Sequence, residues 1–335
     1  MTAADLAFPI LVALIVVAVL FDLLNGLHDA ANSIATMVST RAMSPSWAVI
    51  WAAFFNFVAF LFFGVHVATT VGSGLVHADV INSQVVFGAL TGAIAWNVIT
   101  WNLGIPSSSS HALIGGLVGA GVAKGGFGAI AWAGLNVTAA AIVGSPLLGF
   151  ILAPALILIV SWLFVRHAPF AVDRWFRYLQ FVSGSLYSLG HGGNDAQKTM
   201  GIIAVLLYSQ GYLGDKFYVP FWVVLVCQIA MGLGTLFGGW RIIKTMGSRI
   251  TRLTPMQGFC AQTGGAMTLF LATHFGIPVS TTHTIAGSIV GVGVVRRVSA
   301  VRWNIASNIV VAWVITLPAS GAIAAVSYWL ATLLW

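Results

Sequence analysis

Residues 104–115 read GIPSSSSHALIG, and residues 276–287 repeat the pattern as GIPVSTTHTIAG. A second pair recurs in the same order, because residues 26–32 read GLHDAAN and residues 192–198 read GGNDAQK. The members of the first pair are 172 positions apart, and those of the second pair are 166 positions apart. Two different motifs that recur in the same order at nearly the same offset indicate an internal duplication of the chain.

The composition excludes most classes of soluble protein. Of the 335 residues, 59% are hydrophobic and only 6% are charged, and all seven acidic residues are Asp. A soluble domain carries roughly 25% charged residues, so this chain cannot cover a water-facing surface. The composition therefore excludes an ordinary cytosolic enzyme, a disordered protein and a coiled coil, and it favours an all-α polytopic membrane protein.

Ten apolar stretches follow one another along the chain, and each predicts a membrane segment. A spanning helix needs roughly 20 residues, so the longer stretches predict broken helices or re-entrant hairpins, with breaks expected at Pro146 and Pro318. Asp5 and no basic residue precede the first stretch, so we expect it to stay in the membrane rather than be removed as a signal peptide. The stretches cover residues 8–40, 46–68, 81–103, 105–123, 129–165, 178–209, 218–240, 254–275, 277–295 and 303–334.

The basic residues sort to one side of this arrangement. Of the 14 Lys and Arg residues, 11 fall in connections on a single side, mainly in the loops 166–177 and 241–252. The positive-inside rule therefore predicts that both loops are cytoplasmic and that both termini lie outside a cell (inner) membrane. Basic residues collected in cytoplasmic loops explain the net charge of +7, so we expect a lipid bilayer, and no nucleic acid, as partner.

Five segments in each half make the two halves enter the membrane in opposite directions, because five is an odd number. We therefore predict a first inverted repeat over residues 1–165, a short basic cytoplasmic loop over residues 166–177, and a second inverted repeat over residues 178–335. Re-entrant hairpins in place of pairs of crossings would still leave an odd number of crossings in each half. Inverted repeats are typical of secondary transporters, whose substrate sites lie near the midplane of the membrane.

The hydroxyl residues that follow Pro106 and Pro278 predict an anion site. Proline fits the first turn of a helix, and a helix start attracts anions through its free N–H groups and its positive dipole end. Two such helix starts facing each other would hold a multivalent oxyanion. The alternative is simple N-capping, for which one Ser or Thr is enough. The hydroxyl residues are Ser107, Ser108, Ser109, Ser110, Ser280, Thr281 and Thr282.

Asp29 and Asp195 lie inside apolar segments, where a charge costs about 2.5–3.5 kcal/mol. Such acids are expected to line a polar path or to pair with a cation. The glycines before each Asp predict an unwound helix, whose free carbonyl groups would join the carboxylates as ligands for a small cation. Lys198 follows Asp195 by three positions, on the same helical face, so a purely structural Asp–Lys pair is the alternative in the second half.

Four histidines belong to the duplicated motifs. Each is interpreted as a proton carrier, an anion donor or a packed side chain, and the sequence leaves these alternatives open. We expect no resident metal or cofactor. The four are His28, His111, His191 and His283.

The motifs together resemble those of the inorganic phosphate transporter (PiT) family, and most of all those of its bacterial low-affinity phosphate permeases. The resemblance implies a secondary symporter for inorganic phosphate, built from inverted repeats and assembled as a homodimer. It runs nearly end to end. The motifs are NGLHDAAN at residues 25–32, PSSSSH at 106–111, GHGGNDAQK at 190–198 and PVSTTH at 278–283.

The resemblance implies that the Asp and Asn of one motif pair and the Ser and Thr of the other contribute to the phosphate and coupling-cation sites; the residues are Asp29, Asn32, Asn194, Asp195, Ser108 to Ser110 and Ser280 to Thr282. The residues assigned to phosphate are the hydroxyl runs together with Asn194 and Lys198. The residues assigned to the coupling cation are Asn25, His28, Asp29, Asn32 and Asp195. Accessory roles are expected for His111, His191, Gln197, Thr199 and His283.

Two departures limit what the resemblance carries over. Eukaryotic members have a membrane Glu where Asn56 falls, and this chain has no Glu, so a mechanism that needs such a residue does not transfer. The loop 166–177 is also much shorter than the central loop of some relatives, which argues against a regulatory role for it.

The charge of the substrate requires a co-transported cation. Phosphate is an anion near neutral pH, so the two Asp carboxylates repel it unless a cation is transported as well. The candidates are H⁺, Na⁺ and a divalent metal that moves as a metal–phosphate complex. His28 and Lys198 favour H⁺ over Na⁺, because a histidine can carry a proton near neutral pH and the lysine offsets Asp195.

Two rival functions stay open at this stage. A sulfate permease on the same scaffold would use the same hydroxyl donors, although a nearby carboxylate favours phosphate, which can donate a hydrogen bond. An intramembrane metal-dependent enzyme would use His and Asp as ligands, but the chain has no Glu and no HExxH pattern. A structural scaffold would explain neither duplicated motif. We therefore predict a transporter rather than an enzyme.

Overall fold

The computed structural model describes residues 8–334, and this part of the chain contains 12 α-helices joined by short connections. The all-α prediction is confirmed, while Asp5 lies outside the described residues. The helices are α1 (Phe8–Ser39), α2 (Pro45–Val58), α3 (His66–Ser73), α4 (Ser83–Leu103), α5 (Ser109–Gly125), α6 (Trp132–Leu163), α7 (Pro169–Ser209), α8 (Phe221–Phe237), α9 (Trp240–Lys244), α10 (Pro255–His274), α11 (Thr281–Arg296) and α12 (Trp303–Leu334).

The order of elements is the same in the two halves. Each half begins with a long helix (α1 or α7), continues with a bent pair (α2–α3 or α8–α9) and a hairpin (α4–α5 or α10–α11), and ends with a 32-residue helix (α6 or α12). The bends measure 82° and 63°. The two first helices are antiparallel, because Asp22 contacts Thr199 whereas Met37 contacts Gly184. Equivalent helices that run in opposite directions are what inverted halves require.

The apolar helices are long enough to cross a membrane. Among the described residues, five helices pass by length and composition alone, and up to seven spans result when each bent pair counts as one. The 41-residue α7 is not one of the five, because polar residues interrupt its middle. Each of the ten predicted stretches contains a helix.

Two pairs of these stretches form hairpins with buried turns. Helices α4 and α10 end at Gly104 and Gly276, whose φ angles of 66° and 67° lie in the left-handed region that suits glycine. The residues after each glycine turn back into α5 and α11, and Ser107–Ser110 are at most 3% exposed. Both turns lie in the protein interior rather than in an exposed loop, which is what a re-entrant hairpin requires.

Each hairpin packs against the last helix of the other half. Helix α12 runs along α4 and α5, and α6 runs along α10 and α11. Glycines permit the close approach, since Gly92 faces the carbonyl of Ser320 and Gly149 faces the carbonyl of Thr284. The two halves are therefore interlocked rather than side by side.

The apolar core falls into two clusters, one around each hairpin. Helix α1 contributes its first half to the cluster around α4–α5 and its second half to the cluster around α10–α11, and α7 does the reverse. The polar middle sections of α1 and α7 therefore lie between the two clusters.

The breaks expected at Pro146 and Pro318 are absent, because both prolines lie inside continuous helices. A membrane helix tolerates proline where neighbouring groups and local adjustments compensate for the missing N–H. The backbone at Pro146 packs on Gly287, and the residue before Pro318 packs on Gly115. Packing along the hairpins keeps both helices continuous, so this expectation was wrong.

The two basic segments are more helical than predicted. Within the predicted loop 166–177, α7 already begins at Pro169, after an extended Ala168. Proline is favourable at the first position of a helix, so the true connection before α7 is short. Within 241–252, α9 is followed by a π-helical turn at Thr245–Arg249.

The predicted unwinding at the glycines near the two buried Asp residues is also wrong. Helices α1 and α7 remain helical through both regions. A Cβ atom at Gly26 would overlap the carbonyl of Met231 on α8, and a Cβ atom at Gly192 would overlap the carbonyl of Asn56 on α2. These glycines therefore permit close helix packing instead of opening the backbone.

We expect Gly26→Ala to lower the free energy of unfolding by about 1–3 kcal/mol, because the added methyl group overpacks the contact with α8. Gly144→Ala on α6 is the matched control, since no atom lies within 4 Å of a Cβ atom built there. This control should be neutral or slightly stabilising. Thermal unfolding of the purified variants in detergent measures both effects, and equal Tm values would contradict the packing role.

Candidate functional site

The duplicated motifs meet at one buried cluster. The start of α5 contacts the middle of α7, where Ser110 Oγ lies 3.5 Å from Asp195 Oδ1. The start of α11 contacts the same carboxylate, since Thr281 Oγ1 donates to Asp195 Oδ2 at 2.9 Å. The rings of His111 and His283, one from each hairpin, lie edge to face with centroids 4.2 Å apart. The structure therefore brings the two hairpin turns together beside α7.

Both hairpin helices begin with an N-cap serine. Ser108 Oγ accepts from the backbone N–H of His111 at 3.2 Å, and Ser280 Oγ accepts from that of His283 at 3.1 Å. The capping alternative is therefore correct for these two hydroxyls, although each can still donate its own proton. The earlier N–H groups of a helix have no partner inside the helix, so each start also presents free N–H donors.

The remaining hydroxyls of the two runs have different partners. Ser107 donates to Thr100 Oγ1 at 2.8 Å, and Ser110 accepts from the Lys198 ammonium at 2.5 Å. Thr282 accepts from the Asn32 amide at 2.9 Å. Ser109 Oγ is buried and has no partner among the described residues. Ser109 is thus the hydroxyl that remains available to an additional group.

Asp195 is held by groups from three elements. It forms an ion pair with Lys198 one turn away on α7, and His191 Nε2 lies 3.3 Å from its second oxygen. The Lys198 ammonium also donates to the carbonyl of Val279 in the second hairpin, at 2.7 Å. The predicted Asp–Lys pair is present, and it connects α7 with both hairpins.

Asp29 lies close to this pair from the side of α1. Its Oδ1 is 2.7 Å from Nδ1 of His28, and Nε2 of His28 is 3.2 Å from Thr100 Oγ1 on α4. One ligand atom each from Asp29, His191 and Asp195 lies within 4.8 Å of the others. Two carboxylates and an imidazole at this spacing can bind a cation.

The two motif asparagines position the second hairpin. The Asn32 amide donates to Thr281 and Thr282 at 3.3 and 2.9 Å. Asn194 donates to Thr273 at 2.9 Å and accepts from the backbone N–H of Val279 at 3.3 Å. These contacts fix the turn before α11. The side-chain oxygens of Asn25 and Asn32 have no partner among the described residues.

Some predicted accessory residues lie apart from the carboxylates. Gln197 accepts from the backbone N–H groups of Val67 and Ala68, at 2.9 and 3.2 Å, and so caps the start of α3. Thr199 donates to Asp22 rather than to a motif residue. Among the described residues, the ring nitrogens of His111 have no hydrogen-bond partner. Gln197 therefore contacts the start of α3 rather than the two carboxylates.

Three residues of this region were missed by sequence reasoning. Asp22 is buried on α1 seven residues before Asp29, and the spacing of two helical turns was the available signal. Thr100 joins His28 to Ser107. Trp313 of α12 stacks on His283 at 3.8 Å, and nothing in the sequence pattern indicated this contact.

The two halves of this helical membrane protein are interlocked, and their hairpins meet at buried charges. This is the architecture of a transport protein. The model of the phosphate transporter family matches residues 25–324, and the chain belongs to this family. The resemblance inferred from the motifs is confirmed.

Individual relatives can be aligned with this chain over nearly its whole length. A "Probable low-affinity inorganic phosphate transporter" of Rhizobium meliloti (strain 1021) is 72% identical, covering 98% of this chain and 99% of the relative. One of Bacillus subtilis (strain 168) is 42% identical, covering 99% and 100%. A solved structure described as "The sodium-dependent phosphate transporter" has a TM-score of 0.90 at 25% identity, covering 98% and 100%. These proteins are transporters, and the rival interpretation of the chain as an enzyme is wrong.

We expect Lys198→Met to lower the free energy of unfolding by about 3 kcal/mol or more, because it leaves the buried Asp195 carboxylate without its cation. Adding Asp195→Asn to this variant removes the uncompensated charge and should recover much of the loss. Denaturation of the single and double variants measures this coupling. A double variant that is less stable than Lys198→Met would contradict the pairing.

Proposed function

We propose that the protein is a secondary active symporter that moves inorganic phosphate across the cell inner membrane together with a cation, H⁺ being favoured over Na⁺. The observation that carries the proposal is the meeting of two hairpin helix starts beside two buried carboxylates. The helix starts attract an anion, and the carboxylates require a cation, so the two ligands stabilise each other's binding.

Phosphate binds between the two hairpin turns in this proposal. The starts of α5 and α11 present free N–H groups and the positive ends of the helix dipoles to this region. Ser109 offers a hydroxyl that has no partner among residues 8–334. Lys198 supplies a positive charge at the same place. The residues assigned to phosphate are Ser107, Ser108, Ser109, Ser110, Asn194, Lys198, Ser280, Thr281 and Thr282.

The coupling cation binds on the α1 side of the cluster. Phosphate next to Asp29 and Asp195 is repelled unless one or more positive charges enter with it. His191 adds an imidazole to the two carboxylates. The residues assigned to the cation are Asn25, His28, Asp29, Asn32 and Asp195.

Two contacts favour H⁺ over Na⁺. The Lys198 ammonium already occupies oxygen atoms of Asp195, Ser110 and Val279 that would otherwise surround a metal cation. His28 lies against Asp29, and imidazole and carboxylate groups can both bind a proton. Phosphate carried as a divalent metal complex is the remaining alternative for the charge.

Phosphate is favoured over sulfate by the same carboxylates. Protonated phosphate can donate a hydrogen bond to Asp29 or Asp195, whereas sulfate has no proton to donate near neutral pH. The sulfate permease therefore remains the second candidate on this scaffold.

We further propose that both termini lie outside and that the basic segments 166–177 and 241–252 lie in the cytoplasm, as the positive-inside rule predicts. Labelling a cysteine placed at the exposed Asp79 from outside the cell tests this orientation. The inverted-repeat boundaries at 1–165 and 178–335 and the homodimer stay predictions.

Proteoliposomes with imposed gradients test the coupling. We expect an inward pH gradient to drive uptake of labelled phosphate and a Na⁺ gradient to have little effect, and Asp29→Asn should abolish the driven uptake. Uptake that responds only to Na⁺ would refute coupling to H⁺, while symport with a cation would still hold. Equimolar sulfate should not compete, and strong competition would favour the sulfate permease.

Ser109→Ala should raise the KM for phosphate about 10-fold or more, because a hydrogen bond to a charged group contributes roughly 1.5–3 kcal/mol. Ser145→Ala is the matched control, since Ser145 is also buried and unpartnered but lies on α6. Initial uptake rates over a range of phosphate concentrations provide the comparison. An unchanged KM in Ser109→Ala would remove this hydroxyl from the phosphate site.

A further inference from the structure

A groove on the outer surface of the helix bundle lies outside the two proposed sites. It has a volume of about 440 Å³ and is bounded by the second half of α4, the π-helical turn after α9 and the first third of α12. Its lining includes Gly104, Ile105 and Pro106, which turn the chain back into the first hairpin. The groove therefore borders the turn that precedes Ser107, but it contains neither of the buried carboxylates of the cluster.

The walls of the groove are apolar and open to the outside of the bundle. Leu103 on α4 is 66% exposed, and Val311 and Ile315 on α12 are 54% and 46% exposed. Helix α12 lines the groove from Ile305 to Ile315, and ten residues of α-helix correspond to about 15 Å. One leaflet contributes half of the roughly 30 Å hydrocarbon core of a bilayer. The length of the groove therefore matches one acyl chain of one leaflet.

One end of the groove carries a positive charge. Arg249, the last residue of the π-helical turn, lines the groove and is exposed. It has no hydrogen bond or ion pair within residues 8–334. The backbone N–H of Arg302, just before α12, donates to the carbonyl of Ile250 at 2.9 Å. Arg249 therefore lies near the start of α12, at the end of the groove opposite Ile315.

A second guanidinium lies at the same end. Arg241 on α9 packs on Gly104 and donates to the carbonyl of Asn102. The carbonyl groups at the end of a helix repel an anion, and Arg241 compensates for this end of α4. Arg249 is then available to an anionic group in the groove.

The duplication shows that the fold does not require these charges. Residues 70–74 read TVGSG, and residues 245–249 read TMGSR. The two threonines have the same role, because Thr70 donates to the carbonyl of Gly276 at 2.7 Å and Thr245 donates to that of Gly104 at 3.3 Å. Each segment therefore holds the turn of one hairpin.

The basic residues are found in only one of these two segments. Arg241 and Arg249 correspond to His66 and Gly74 in the first half. The first half holds its hairpin turn without an arginine at either position. The two arginines are therefore additional to the packing of the turn, and they give one of two equivalent faces a positive charge.

We infer that this groove binds an anionic diacyl phospholipid, with the phosphodiester group on Arg249 and one acyl chain along α12. A guanidinium presents paired donors to phosphate oxygens, and Asn308 adds an amide to the same groove. The orientation proposed above assigns the lipid to the cytoplasmic leaflet, where basic pockets between membrane helices suit anionic head groups. Free phosphate would leave the apolar walls uncovered, so the inference commits to a lipid.

A lipid in the groove contacts the first hairpin turn. Thr245 holds the carbonyl of Gly104, and the indole of Trp313 donates to the carbonyl of Pro106 at 3.3 Å. An acyl chain covers the side of Ile105 and Pro106 that faces the groove. The bound lipid therefore stabilises the turn from which α5 begins.

Arg249→Gln tests the head-group contact. Purified protein in detergent is titrated with phosphatidylglycerol, and native mass spectrometry measures the Kd of the first bound lipid. We expect this Kd to rise about 10-fold, which is the loss typical of a charge-assisted hydrogen bond. Phosphatidylcholine with the same chains should bind the wild type and Arg249→Gln equally. The matched control is Arg174→Gln, which removes an exposed arginine on α7 and should leave the Kd for phosphatidylglycerol unchanged.

Ala312→Trp tests the acyl-chain contact and keeps Arg249 in place. Ala312 lines the groove on α12, so an indole at this position fills it and should also raise the Kd for phosphatidylglycerol about 10-fold. Val314→Trp is the control, because Val314 is 69% exposed on the same helix but does not line the groove. This pair of variants decides the question if Arg249→Gln does not fold.

Three results would overturn the inference. The first is an equal Kd for phosphatidylglycerol in the wild type and in the folded Arg249→Gln or Ala312→Trp protein. The second is displacement of the lipid by inorganic phosphate, which would make Arg249 part of a phosphate site. The third is loss of a dimer in Ala312→Trp with no change in lipid affinity, which would assign the groove to a second copy of the chain. None of these measurements depends on transport, so the proposed function stands or fails separately.

Discussion

The buried pair of Asp195 and Lys198 is the interaction on which the centre of the structure depends. A carboxylate and an ammonium can be buried only together and with their remaining hydrogen bonds satisfied. Ser110 from the first hairpin and Thr281 from the second supply those bonds. Because each hairpin is held by the last helix of the opposite half, the pair is complete only when both halves are in place. Burial of one charge pair thus sets the relative position of the two repeats.

The duplicated scaffold carries charges that are not duplicated. Asn32 and Lys198 occupy equivalent positions, as do Asp22 and Ser188. Two equal halves would present the same charge to both sides of the cluster, and no side would be specialised. The difference in charge assigns a fixed cation to α7 and leaves unsatisfied oxygens on α1. The proposed anion site and the proposed cation site therefore lie next to each other.

Much of the fold and the outline of the site could be predicted from sequence. The motif pairs predicted which residues assemble, and Ser110, Asp195 and Thr281 do meet. The errors concern backbone features whose outcome depends on a neighbour. Pro146 does not break α6, because a hairpin packs along that helix, and Gly26 does not unwind α1, because the backbone of α8 occupies the space beside it.

The sequence by itself determined the membrane class, the duplication, the family and the motif residues that meet in the buried cluster, because composition, repeats and motifs are properties of the chain alone. Only the tertiary structure decided how those residues are used. Within residues 8–334, Ser108 caps α5 while Ser109 keeps a free hydroxyl, and Asp22 has no ion-pair partner while Asp195 pairs with Lys198. These differences depend on distances between helices remote in sequence, which no local pattern contains.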